Sequence, residues 1–341
     1  MANHQNTHHH KHHHEHGDAH TGHTHTHGVV DPSIITTERG IWAVKWSFAG
    51  LFATAVFQIV VVIFSGSVAL LADTIHNVGD AATAIPLWIA FRLARRKPNK
   101  RFTYGYGRVE DLAGVAIVLT ILLSAVIAGY ESIDRLFHPQ TVKHLWAVMV
   151  ASAVGFIGNE AVARFRIKVG KEIGSAALVA DGHHARVDGL TSLAVLFGAV
   201  GVWLGYPLAD PIVGLLITVT ILRIAWESGK SIFTRMLDGV DPEIVDEIRH
   251  AVNHTPGVES VSEVRVRWLG HRLHAELNIA VEPQLSVEVA HGIALEARHR
   301  LLHELTYLSN ATIHVDPANA SGEEHHRVAK HEHDQLPAHS H

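Results

Sequence analysis

Residues 112–130 read LAGVAIVLTILLSAVIAGY, nineteen positions without a formal charge. The run is too long for a buried strand and too evenly apolar for the surface helix of a soluble domain. It matches the roughly 20 residues that a helix needs to cross a hydrocarbon core of about 30 Å. Five further apolar stretches flank it, so that six lie at about 41–64, 68–94, 110–136, 144–167, 175–204 and 211–228. The expected fold is an α-helical membrane protein with six transmembrane helices. Arg92, Arg95, Arg96, Lys97, Lys100 and Arg101 crowd the link between spans two and three, and Arg164, Arg166, Lys168 and Lys171 the link between four and five. The opposite links, Ser65-Gly66-Ser67, the stretch around Phe137-His138-Pro139 and Leu204-Gly205-Tyr206-Pro207, are nearly free of positive charge. The basic links are therefore expected on the cytoplasmic side, and both termini with them. No apolar segment stands ahead of the first span where a cleavable signal would need one.

After Arg235 the pattern changes. It reads as a helix over Pro242–His254 with Asp241 as N-cap, a strand over Val261–Trp268 and a turn at Gly270. A strand over Leu273–Val281, a helix over Val287–Leu305 and a strand over Thr312–Val315 follow. This αββαβ order implies a small cytoplasmic α+β domain with both helices on one face of a three-stranded sheet. The expected organisation is a His-rich tail (1–37), a six-helix membrane domain (38–236), the α+β domain (237–317) and a second His-rich tail (318–341).

Composition narrows the chemistry. The chain has 341 residues, no cysteine, a formal charge of −5 and 31 histidines against 28 Lys plus Arg. Without cysteine there is no disulfide framework, thiolate metal site or thiol nucleophile, so metal chemistry must use imidazole and carboxylate. The charge balance offers no basic field for nucleic acid. Twelve histidines lie in residues 1–28 and six in 325–341. The first tract is interrupted by Lys11, Glu15, Gly17 and Asp18, unlike a purification tag, and such tails can hold borderline divalent metals weakly at many places.

Ionisable residues inside membrane spans are expensive and point to function. Span two carries Ala72-Asp73-Thr74-Ile75-His76-Asn77-Val78-Gly79-Asp80, and span five carries Ala180-Asp181-Gly182-His183-His184-Ala185-Arg186-Val187-Asp188. Both read A-D-x-x-H-x-x-x-D, which puts His and both Asp on one helical stripe. The His and second Asp fall about 9 to 13 residues into each span, near the midplane at about 1.5 Å per residue. Side by side, His76, Asp80, His184 and Asp188 would supply two nitrogens and two oxygens, a set suited to tetrahedral Zn2+ and accepted by Co2+, Ni2+ and Fe2+. Asp73 and Asp181 read as carboxylates behind the ligands or as helix-packing groups. His183 and Arg186 point off the stripe, and Asn159 and Glu160 in span four read as a polar contact between helices or as cavity lining.

These features resemble the cation diffusion facilitator family: six spans, paired HxxxD motifs, a His-rich segment, and a C-terminal αββαβ unit closing on Ile313-His314-Val315-Asp316-Pro317. The resemblance covers residues 38–317 and implies a homodimeric exporter that moves divalent metal out of the cytoplasm against protons by alternating access. His76, Asp80, His184 and Asp188 are then the transport site, of the zinc-preferring kind, and no organic cofactor is implied. It also implies a bacterial inner-membrane location and, through His291, His314 and Asp316, part of a cytoplasmic regulatory metal site. His271 or His274 could complete that site, because the other family positions correspond to Ser262 and Asn278. Arg108 and Asp238 match a charge interlock between the membrane and cytoplasmic parts. Where some relatives carry loop histidines this chain has Tyr104-Gly105-Tyr106-Gly107, with no His from 77 to 137, so a loop metal site is not expected. An intramembrane metallohydrolase is the rival enzyme reading, and it lacks an HExxH. A metal-buffering or sensing protein centred on the tails is the rival binding reading.

Overall fold

Five of the six apolar stretches are helices of 28 to 34 residues in the computed structural model, which describes residues 32–65, 84–138, 145–206, 208–322 and 325. The helical part comprises α1 (Pro32–Ser65), α2 (Ala84–Ala94), α3 (Arg108–Phe137), α4 (Leu145–Glu172), α5 (Ala176–Trp203) and α6 (Ala209–Met236). The short α2 is the end of the second expected span, whose earlier residues lie outside the described ones. The bundle is apolar on the outside: Leu119, Leu123 and Val126 of α3 are 60%, 59% and 60% exposed, while Gly114, Ile117, Ile121 and Ala125 face inward. Lipid solvates such a surface where water would not.

Helix α4 packs antiparallel to α5 through small residues. A Cβ at Gly182 would stand 2.7 Å from Cγ1 of Ile167 and 2.9 Å from its backbone nitrogen, and one at Gly170 would stand 2.8 Å from Cγ2 of Val179. Close backbone approach of this kind holds helices together in lipid, where burial of apolar surface offers no gain.

Past α6 come α7 (Pro242–Asn253), β1 (Ser260–Leu269), β2 (Arg272–Val281), α8 (Val287–Glu304) and β3 (Leu308–Pro317). Asp241 caps α7, accepting from the Glu243 amide at 3.2 Å, with Pro242 in the first turn. The β1–β2 pair is an antiparallel hairpin with Trp268 opposite Leu273, and Gly270 at its tip takes φ 64°. β3 then pairs in parallel with β2, so β2 is central. Leu273, Ala275, Leu277 and Ile279 alternate along β2 into a core with Ile248 and Val252 of α7 and Ala297 and Leu301 of α8. Both helices cover one face, as the αββαβ pattern requires.

Several boundaries differ from the sequence reading, among them the end of α6, which runs to Met236 rather than 228. Helix α1 begins at Pro32 rather than near 41 and is about 51 Å long at 1.5 Å per residue, well beyond a hydrocarbon core of about 30 Å. Strand β3 begins at Leu308 rather than Thr312, because pairing with β2 extends through residues with no strand preference of their own. Arg164, Arg166, Lys168 and Lys171, expected in the link after span four, all lie inside α4, which continues to Glu172, and the Arg166 side chain is 1% exposed.

Candidate metal transport site

Helix α5 starts at a turn, Ile173–Ser175, and Ser175 caps it by accepting from the Leu178 amide at 3.0 Å. Asp181, His184 and Asp188 then recur on one stripe, and all three are buried. Nδ1 of His184 lies 3.7 Å from Oδ1 of Asp188 one turn further on. The sequence-expected pair of one imidazole and one carboxylate is thus held together on one helix. Asp181 is engaged differently: its carboxylate lies 3.0 Å from the Arg166 guanidinium of α4, with both side chains buried. Nε of Arg166 also donates to Ser47 of α1 at 2.9 Å, so one cation joins three helices. Asp73, His76 and Asp80 lie outside the described residues.

The neighbouring polar residues serve contacts between helices. Arg186 donates to Glu160 of α4 through Nε at 3.1 Å and Nη2 at 3.2 Å, and Arg164 donates to the same carboxylate at 2.8 Å. Asn159 is buried against the Gly189 side of α5.

In the small domain, Nε2 of His314 lies 2.9 Å from Oδ1 of Asp316 on β3. Asn278 stands opposite both His314 and Glu263 across the sheet, with Ser262 beside it on β1. His291 is exposed on α8. Among the described residues no three His, Asp or Glu side chains converge as a metal-binding group. His271 belongs to another cluster, at the opposite end of the hairpin.

That cluster was not foreseen from the sequence. His271 at the hairpin tip is 2% exposed, with Nδ1 2.6 Å and its backbone nitrogen 3.2 Å from Oε2 of Glu110 in the first turn of α3. Nε2 of His271 meets the Thr37 hydroxyl of α1 at 2.8 Å, and the Ser175 hydroxyl donates to Oε1 of Glu110 at 2.5 Å. Arg235, near the end of α6, donates to the Gly174 carbonyl at 2.5 Å and lies 4.1 Å above the Trp268 ring. Two sequence signals were available, the Gly270-His271 step at a hairpin tip and adjacent acids opening an apolar helix. Neither names its partner. Beside this cluster Arg108 pairs with Asp238 and donates to the Arg235 and Met236 carbonyls at 3.3 Å each, closing the carboxyl end of α6.

The family-model matches agree with this architecture. Residues 44–237 match the family model described as "Cation efflux transmembrane domain", and residues 240–318 match "Cation efflux protein, cytoplasmic domain". A "Probable cation efflux system protein" of Mycobacterium tuberculosis is 56% identical over 85% of this chain and 87% of its own length. The magnetosome protein MamB of Paramagnetospirillum magneticum is 27% identical over 83% of this chain and 95% of its own. Among solved structures, a variant MamM CTD in its manganese form is 27% identical over 23% of this chain and 99% of that chain, with a TM-score of 0.22. With both family models matched in order and a relative this similar along most of the sequence, the chain belongs to the cation diffusion facilitator family of multi-pass cation efflux transporters and is not an enzyme.

Proposed function

We propose that the protein is a Zn2+/H+ antiporter that carries metal out of the cytoplasm by alternating access, as a homodimer in a bacterial inner membrane with both termini cytoplasmic. The observation that carries this reading is the buried His184–Asp188 pair on α5, 3.7 Å apart inside an apolar helix. The matched His76 and Asp80 of span two supply the second half of a two-nitrogen, two-oxygen set. Such donors suit Zn2+, while Co2+, Ni2+ and Fe2+ accept the same atoms. Metal binds the neutral imidazole, and imidazole ordinarily titrates near pH 6.5, so metal and proton compete for one nitrogen and the two fluxes are coupled. Asp181 and Asp73 act from behind the ligands, Asp181 through its pairing with Arg166. His314 and Asp316 form part of a regulatory site, to which His291 contributes in the dimer.

Proteoliposomes enclosing a pH-sensitive dye test the reading. The wild type is expected to take up zinc while releasing protons, and His184→Ala and Asp188→Ala to do neither. Wild-type transport by either variant refutes the site. Zinc uptake without proton movement refutes antiport, and a higher kcat/KM for Co2+, Ni2+ or Fe2+ refutes the choice of metal.

A further inference from the structure

We propose that Glu110 is a positioning residue for transport, holding the Gly270–His271 tip of the cytoplasmic domain against the Ser175 cap of α5, so that the seating of the hairpin fixes where the His184–Asp188 helix begins. This rests on the reading of His184 and Asp188 as transport ligands.

Each carboxylate oxygen of Glu110 serves one side of the junction. Oε2 takes the tip, through the His271 backbone nitrogen and ring Nδ1, and Oε1 takes the Ser175 hydroxyl. That hydroxyl in turn accepts from the Leu178 amide in the first turn of α5. With the proton on Nδ1, the ring donates to Glu110 and accepts from Thr37, an assignment that satisfies every partner.

The same turn is gripped from other sides. Arg235 holds the Gly174 carbonyl, and a Cβ at Gly174 (φ 70°) would stand 3.2 Å from both the Trp268 and Tyr307 rings. Tyr307 donates to the Lys171 carbonyl at 3.2 Å. At the tip itself, a Cβ on Gly270 would stand 2.6 Å from the Gly107 carbonyl oxygen and 2.8 Å from Oε2 of Glu110. The hairpin therefore sits closer to α3 than any side-chain-bearing residue permits, which marks a built seat and not a grazing contact. His184 lies nine residues beyond Ser175 along the helix, about 14 Å at 1.5 Å per residue, so a displaced cap moves the ligands as a body.

Two measurements test this. In proteoliposomes, Glu110→Ala and His271→Ala are expected to raise the KM for zinc at least fivefold. The double variant should go no further than the worse single one, because both break the same connection. Glu110→Gln, whose amide oxygen still accepts from His271, should recover most of the loss, and it serves with Ser175→Ala if the alanine variants do not fold. The absence of native cysteine allows a second readout, maleimide labelling of Leu269→Cys beside the tip. By reciprocity, zinc at the transport site should favour the seated hairpin and slow labelling at least threefold, with no slowing when His184→Ala is added. A purely structural contact lowers yield or melting temperature but leaves the KM and the zinc effect unchanged. Folded variants with KM within twofold of wild type, additive KM changes, or a labelling rate insensitive to zinc overturn the proposal. If His184→Ala transports like the wild type, the site assignment itself fails. If His184→Ala is inactive while the Glu110 and His271 variants keep normal kinetics, only the positioning role fails.

Discussion

Replacing Arg166 with Met tests how the bundle tolerates charge. The guanidinium lies 3.0 Å from the Asp181 carboxylate, with side-chain exposures of 1% and 0%, so neither group can turn to water when its partner is lost. Removing one member of such a pair leaves an uncompensated buried charge and costs about 3–5 kcal/mol, whereas replacing both by apolar groups is often near neutral. The Ser47 hydroxyl also loses the donor that it meets at 2.9 Å, adding about 1 kcal/mol. Together these come to about 4–6 kcal/mol, and at roughly 2–4 °C per kcal/mol for a domain of this size Arg166→Met should lower the melting temperature by about 8–24 °C. The double variant Arg166→Met/Asp181→Leu should recover at least half of that drop. Thermal unfolding of purified protein in detergent, followed by tryptophan fluorescence, measures both. A single variant melting within about 1 °C of wild type, or a double variant less stable than either single one, refutes the reasoning. The stabilised double variant also separates two roles of Asp181: zinc uptake retained means that its carboxylate serves packing alone, and uptake lost means that it acts on the metal path.

Further outcomes follow from the same geometry. Gly182→Ala places a methyl against the backbone nitrogen of Ile167, which cannot yield as a side chain end can. It should destabilise by about 1–3 kcal/mol and reduce zinc uptake, as read by melting and flux together. Leu277→Ala, in the centre of β2, should cost about 2–5 kcal/mol and be visible as loss of protease resistance in the small domain. Arg108→Ala removes a half-exposed pair and should shift the melting temperature by no more than a few degrees, its charge contribution being about 0–1 kcal/mol. Deleting residues 4–27 should raise the apparent KM for zinc while leaving the maximal flux unchanged; loss of all flux would favour the metal-buffering reading.

What the sequence disclosed was what is periodic. A run of nineteen uncharged residues, a stripe at i, i+3 and i+7 on α5, and alternation along β2 all depend on local spacing, and each reappears in the fold. The N-cap of α7 and the turn at Gly270 were legible for the same reason. Long-range partners were not. Asp181 fell on the expected stripe, but nothing local names Arg166, fifteen residues away across a turn. Glu110 reads as an acid complementing the amino end of a helix, yet its partners Ser175 and His271 are 65 and 161 residues distant. The early start of α1 was missed because Thr36, Thr37, Glu38 and Arg39 lie outside the apolar run, although that turn carries Thr37 to the hairpin tip.

The burial of Glu110 beneath a hairpin that follows it by more than 150 residues bears on biogenesis. During synthesis α3, α4 and α5 emerge and enter the membrane well before residues 260–281 exist. Until then the Glu110 carboxylate has Ser175 but not His271. Completion of the sheet domain is thus the step that completes the Glu110 contacts, and a chain that ends before residue 271 lacks the junction between the hairpin tip and the Ser175 cap.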